Sequence, residues 1–384
     1  MGRVMTAAEL AKHLNLSRTT VSAVLNGRAQ RYGLAQGTVD KVLNGARRYN
    51  YRPDPVARQL AGMRSNVVGI LVNSAVVDPR LIEKMEVRAA EKQLRFIVGH
   101  ALDRADGTKI REYIEDFRSR RVDAIISFHH NNGAYHDVVL DELRKMDRVL
   151  YYEKPDVDLP DPWFVEIDTY EVGRLPTQHL IDRGRTRIAL IALDESLFPR
   201  LAPRRRGYSD ALRDAGLPHG QGLVWRVDPK RSLRWIEPPS DDEVQAILEQ
   251  LVVREKADAI VAVNDLYVAR IVRSLKRMGL RVPDDVALVG GDNMDIGTLV
   301  EPEITTVDVQ IDALAEAAVN QLFNMLNEVP DDSPTPTPTG AGADTETGAE
   351  PTRPPRRRSR AGVTADNSRH GIVVKPKLIV RQSS

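Results

Sequence analysis

The chain has 384 residues, 42% of them hydrophobic and 28% charged, enough for two or three domains with separate cores. It contains no cysteine, which excludes a disulfide framework, a thiolate nucleophile and a thiolate metal site. The net charge of +1 hides an asymmetry: residues 1–66 carry eleven Lys/Arg against three Asp/Glu, a net of +8, and the remainder carries 44 against 51, a net of −7. A polyanion partner for the first part and a different task for the rest follow from that separation. No apolar leader opens the chain, and no apolar run approaches the ~18 residues of a membrane span, so a soluble cytoplasmic protein without a membrane partner is expected.

In chain order, Thr6-x-x-Glu9 has the spacing of a capping box, and Leu10, Ala11 and Leu14 share one face of the helix it opens. Asn15-Leu16 makes a turn. Ser17 then caps a second helix, with Val21, Val24 and Leu25 inward and Arg18, Thr19, Ser22 and Ala23 toward solvent. Such a pair presents the second helix to base edges in a DNA groove. A small helical cap on a larger domain is the blander reading, and the +8 charge argues against it. Thr38 is expected to cap a third helix, Val39 to Tyr49, with Val39, Val42, Leu43 and Ala46 inward. Asp54 and Pro55 open a short helix that Gly62 closes.

From Val67 onward, short apolar runs alternate with amphipathic helical stretches, which predicts parallel sheets covered on both faces. Eight strand candidates fit two sheets better than one, with a break near 163–168. The cleft beyond the strand ends is then the default ligand site. Residues 330–369 are rich in Pro, Thr, Gly and Ala and carry the run Arg356-Arg357-Arg358; they are expected to be a disordered insertion. No phosphate-binding loop, nucleophile elbow or metal spacing is present, and the pair His129-His130 lacks partners, so no enzyme activity, cofactor or metal is expected.

Thr20-Val21-Ser22-x-Val24-Leu25-Asn26, followed by Asn50-Tyr51-Arg52-Pro53 and Ala57-Arg58-Gln59-Leu60, closely resembles the LacI/GalR family of bacterial transcription factors. In the body the resemblance continues through Arg206-Gly207-Tyr208, Asn264-Asp265, Pro283–Gly290, Gly291-Asp292-Asn293 and the closing segment Ile372–Ser383. The fold implied is an N-terminal all-α helix-turn-helix domain (1–52), a hinge helix and linker (53–66), and an α/β body of two Rossmann-like, periplasmic-binding-protein-like lobes (67–329 plus 370–384). The function implied is that of a repressor, acting as a homodimer on pseudo-palindromic double-stranded operator DNA under the control of a small-molecule effector, a sugar for preference. The competing reading is a sugar receptor or sugar-acting enzyme with an accessory head. Nucleoid association follows from the first reading.

The DNA-contacting set read from this resemblance is Thr6, Ser17, Arg18, Thr19, Thr20, Ser22, Asn26, Tyr51, Ala57 and Leu60. Leu60 matches the leucine that two subunits wedge into the minor groove, where an apolar side chain unstacks a base step; packing on the core is its alternative. Ala23 stands where the family commonly has Arg, and the Gly27–Thr38 loop is about three residues longer than usual, with Arg28, Arg31 and Tyr32 either touching phosphates or decorating a loop. The effector set is Ser74, Ser127, Glu153, Arg204, Asn264 and Asp292, with Trp163 as a further stacking candidate. Arg204, Asn264 and Asp292 match residues that hydrogen-bond effector hydroxyls. Asn264 and Asp292 have a second reading as helix caps.

Overall fold

The computed structural model describes residues 5–25, 29–51, 64–72, 78–100, 107–128, 136–193, 195, 201–228, 237–328, 363–365 and 370–384. These form two compact units, Met1–Val67 and Val68–Ser384. Among the described residues no helix is long and apolar enough to cross a membrane.

The first unit is a three-helix cluster: α1 (Ala7–Leu14), α2 (Arg18–Leu25) and α3 (Gln36–Arg48). Its core is Leu10, Ala11, Leu14, Val21, Val24 and Val42, the inward residues that helical periodicity selects. Two expectations fail here. Helix α3 starts at Gln36 behind Ala35, which donates no side-chain cap; Thr38 lies inside the first turn, where its amide already bonds Ala35 O. Gln36 instead hydrogen-bonds Asp40 one turn on. Leu43 is 40% exposed; Gly45 faces α1, its Cα so near the Leu14 side chain that an added Cβ would sit 2.5 Å from Leu14 Cδ2.

The second unit holds two sheets. A seven-stranded sheet has the order β11-β12-β5-β4-β3-β1-β2 and a six-stranded sheet the order β13-β10-β9-β8-β6-β7. The first lobe runs β1 (Val67–Val72), α4 (Pro79–Glu91), β2 (Arg95–His100), α5 (Thr108–Ser119), β3 (Ala124–Ser127), α6 (His136–Leu143), β4 (Val149–Tyr152) and β5 (Trp163–Ile167). The chain then crosses to the second lobe through α7 (Thr169–Asp182), β6 (Ile188–Ala192), α8 (Ala202–Asp214), β7 (Val224–Arg226), α9 (Asp241–Leu248), β8 (Ala259–Val261), α10 (Asp265–Arg277), β9 (Ala287–Gly291) and β10 (Thr305–Asp308). It returns with α11 (Ile311–Asn327), which packs on α4 and β5 in the first lobe, and β11 (Val363–Ala365) and β12 (Gly371–Val374) complete that sheet. A third crossing reaches β13 (Lys377–Ile379) at the edge of the other sheet.

The strands β3, β4, β5, β1 and β12 pair in parallel, and so do β6 to β10, which is why their sequences read as short unbroken apolar runs. One core lies between the first sheet and α4 and α11, with Ile70, Met85, Ile126 and Leu322 at its centre. The second sheet is covered on both faces, by Ile247, Tyr267 and Ile271 on one and Leu180, Tyr208 and Leu212 on the other.

The chain leaves the first lobe at Asp168, at the end of strand β5 and within the span where the break is expected. Two body readings need correction. The closing segment is two strands in different sheets, divided at Lys375-Pro376, since Pro lacks the amide a continuous strand needs. Within the span read as wholly disordered, Val363–Ala365 pairs antiparallel with β12; the Val-Thr-Ala triplet has β propensity that composition over forty residues conceals.

Candidate nucleic-acid interface and effector cleft

Helix α2 is positioned from its own start. Ser17 Oγ accepts the Thr20 amide at 3.0 Å and lies 2.8 Å from Thr20 Oγ1. The preceding helix carries the full capping box: Glu9 N donates to Thr6 Oγ1 (3.2 Å) and Thr6 N to Glu9 Oε2 (2.8 Å). With Val21 and Val24 buried, Arg18 and Thr19 are left exposed at the helix N-terminus and Thr20 and Ser22 partly so. Ala23, expected to face solvent, is 5% exposed; its small side chain is covered, so the surface of α2 rests on Arg18, Thr19 and Ser22.

Tyr51 is half-buried beside the small core. In the long turn, the Gly33 amide bonds Gln30 O and the Leu34 amide bonds Ala29 O, both at 3.0 Å, and Arg31 and Tyr32 are exposed. Asn26, Arg28, Ala57 and Leu60, and with them the hinge helix, lie outside the described residues. Ser17→Ala is expected to cost about 1 kcal/mol of head stability through loss of the cap, read by chemical denaturation followed by far-ultraviolet circular dichroism.

In the body, Ser127 closes β3 and Glu153 follows β4; both are buried, and Glu153 holds a left-handed backbone at φ 78°. Such strain in a non-glycine residue is characteristic of sites where the surroundings over-determine the chain. Across from them in sequence, Asn264, Asp265 and Asp292 follow β8 and β9. Asn264 is fully buried and its side-chain oxygen accepts the amides of Leu266 (3.1 Å) and Tyr267 (3.3 Å); it caps α10, the second of its two readings. Arg204, in the first turn of α8, donates through Nη2 to Ala262 O (2.7 Å) and to Val263 O (3.2 Å), while its buried Nε finds no partner among the described residues.

Asp292 is different. No described residue hydrogen-bonds its carboxyl group, and burial pushes its pKa up to about 7 against the opposing pull of Arg204. The turn that carries it is built tightly. Asp292 N donates to Val307 O (2.8 Å), Asn293 N to Thr306 Oγ1 (3.2 Å) and Met294 N to Asp265 Oδ2 (2.7 Å). Asp265 is fully buried, and burial raises its pKa to about 6. Arg381, in the closing segment, ties Asn293 Oδ1 (2.8 Å) to Ile304 O (2.7 Å). Asp78, Arg80, Asp265 and Arg381 were absent from the residue set read in the sequence; Asp78-Pro79 carries a helix-start signature, and nothing local marks the other three.

Ser74 and the His129-His130 pair lie outside the described residues. Trp163 stacks on His370 with ring centroids 3.9 Å apart and planes 9° from parallel. His370 Nδ1 lies 3.0 Å from Asp161 and Nε2 3.4 Å from Glu328, so the two ends of the 329–369 segment meet at one clasp.

A model of a periplasmic binding protein-like domain matches residues 177–341. The chain is 28% identical over 330 residues to the HTH-type transcriptional repressor PurR of Klebsiella pneumoniae, covering 84% of this chain and 90% of the relative. It is 26% identical over 333 residues to catabolite control protein A of Priestia megaterium, covering 86% and 95%. Among solved structures, a lac repressor dimer bound to operator and an anti-inducer has the same fold, with a TM-score of 0.72 at 19% identity over 99% of both chains. A complex of the regulator CelR with cellobiose superposes with a TM-score of 0.61 at 22% identity, over 99% of this chain and 100% of that one. With a basic helix-turn-helix head, a two-lobed body crossed three times by the chain, and repressors as its relatives over most of its length, the chain is similar to the LacI/GalR family of transcriptional regulators.

Proposed function

We propose that this protein represses transcription by binding a pseudo-palindromic operator as a homodimer, and that a sugar or other polyol bound between its lobes sets its operator affinity. The observation that carries the effector half is the half-buried carboxyl group of Asp292, which no described residue hydrogen-bonds and which lies within the electrostatic reach of the Arg204 guanidinium. A pair of that kind suits neutral hydroxyls, which both donate and accept. Glu153 and Ser127 from the first lobe complete the proposed contact set, with Asn264 acting through its cap on α10. Repressors related to this chain support the DNA half, as does the CelR complex for a sugar ligand.

In the head, Arg18, Thr19, Thr20 and Ser22 are assigned to base edges and Thr6, Ser17 and Tyr51 to phosphates, with Asn26, Ala57 and Leu60 completing the set. Residues 53–66 are assigned to the hinge. DNA association places the protein on the nucleoid.

The test is selection of a duplex from a random-sequence pool by the full-length protein, followed by fluorescence anisotropy at several salt concentrations. Neutralising about six phosphates or more, affinity should fall roughly a thousandfold between ~50 and ~200 mM salt. A thermal-shift panel of sugars and nucleosides on the same protein should raise the melting temperature for one class, since a ligand at ~100 times its Kd adds about 2.7 kcal/mol. An unselective pool, or a weak salt response, would refute the DNA reading; a flat panel would refute the effector reading.

A further inference from the structure

Arg80 sits in the first turn of α4, in the first lobe, and its guanidinium reaches the second. Nη2 donates to Asp292 O at 2.8 Å and Nη1 to Asn293 O at 3.3 Å. These two carbonyls belong to successive left-handed residues, at φ 75° and 43°. The remaining face of the guanidinium is held by Asp78. Arg80 Nε lies 3.0 Å from Asp78 Oδ2, and Nη2 lies 2.6 Å from the same oxygen. Asp78 also caps α4, accepting the Arg80 amide at 2.9 Å, and Pro79 fills the first helical position. One carboxylate therefore starts the helix and aims the arginine.

The turn on the other side is committed to its own lobe through each of its amides and through Arg381. It cannot shift relative to the first lobe unless the Arg80 bonds break. The same turn carries the carboxyl group assigned above to the effector. Resting on that assignment, we propose that Asp78 and Arg80 form a latch by which the first lobe holds the backbone of the Asp292–Asn293 turn, linking the arrangement of the lobes to occupancy at Asp292. Arg80 faces the negative charges of Asp78, Asp292 and Asp295. It is a positioning residue: it touches the turn, and the proposed ligand touches the side chain. Linkage makes the coupling reciprocal: a ligand that moves the turn and so favours the released lobes by a given factor must bind the released arrangement more tightly by the same factor.

Because the chain has no cysteine, two labels can be placed without background. The full-length protein carrying Ser119→Cys in the first lobe and Lys276→Cys in the second, spin-labelled and diluted with unlabelled chain, reports the inter-lobe distance by pulsed electron resonance. The expected result is one narrow distance distribution in the parent and a broadened or displaced one in Arg80→Ala. Asp78→Asn should broaden it too, since Asn keeps the helix cap but not the charged partner of the guanidinium. Arg80→Lys, with no planar fork to span two carbonyls, should restore little. Circular dichroism melting on each sample distinguishes an open latch from an unfolded lobe: a folded Arg80→Ala or Asp78→Asn protein with the parent distribution overturns the latch. Duplex binding is read on the same samples. Retained binding with unchanged distances sinks the latch alone, whereas changed distances with no duplex binding in the parent sink the repressor reading and leave the latch as an inter-lobe contact.

Discussion

Gly173→Ala should lower the melting temperature of the body by roughly 6–12 °C, the shift expected when overpacking costs about 3 kcal/mol in a domain of this size. Helices α7 and α8 cross with their backbones in contact at two glycines. A Cβ on Gly173 would sit 2.7 Å from the Arg204 carbonyl carbon and closer still to its oxygen. A Cβ on Gly207 would meet Tyr170 O and lie 3.0 Å from Arg174 N. Backbone atoms on both sides leave no flexible side chain to yield, so the helices must separate. Because Arg204 is in the α8 first turn, that separation drags its guanidinium off Ala262 O and Val263 O, and ligand-induced stabilisation should disappear along with the stability.

Gly184→Ala is the control. Gly184 has φ 81° but nothing within 4 Å of an added Cβ, so it should cost only the ~1 kcal/mol of a left-handed alanine and leave the ligand response intact. Differential scanning calorimetry of both variants decides the matter. Equal losses would show that chain conformation rather than helix approach is what the first glycine serves.

The contrast between these glycines bears on what the sequence could disclose. Local chemistry was readable: Thr6-x-x-Glu9 and Ser17 form the caps their types and spacing imply, and apolar runs such as Ala124–Ser127 are buried parallel strands. Misreadings arose where a nonlocal partner decided the outcome. Trp163–Ile167 is not among the expected strands, yet its pairing with β4 and β12 makes it one, with the crossing directly after it. The Pro-Thr-rich span hides a triplet that becomes a strand only because β12 offers an edge. In the cleft, Asp292 was reachable by position, while its neighbour Arg80 was not, being 212 residues distant in sequence. Arg381 is equally remote, and its role depends on the third crossing. The family pattern thus pointed to the residue proposed to meet the ligand but not to those that hold its turn in place.

The state of Asp292 carries the second large effect, on pH dependence. Burial disfavours its charge and pushes the carboxyl group up to about 7 in the folded protein, well above the ordinary carboxylate range of about 4 in the unfolded chain. The sign follows. Between those values the folded chain binds a proton that the unfolded chain has lost, so this group's contribution to stability is fully present below about pH 4 and drains away as pH rises through 7. Asp265, raised to about 6, acts in the same direction.

A ligand whose hydroxyls donate to Asp292 needs the carboxylate, so its binding must expel the proton. Affinity should therefore rise with pH through 7, opposite to the trend in ligand-free stability. About half a proton should leave per site at pH 7. Calorimetric titration of the sugar giving the largest thermal shift, run at pH 7 in phosphate and in Tris, should show enthalpies that differ by that fraction of the buffers' ionisation enthalpies. In Asp292→Asn the difference should vanish and affinity should fall at least tenfold, as expected when a charged acceptor for a hydroxyl donor is lost at a cost of about 1.5 kcal/mol or more. Equal enthalpies in the two buffers for the parent protein would mean that the ligand is held elsewhere and that Asp292 serves only the turn it begins.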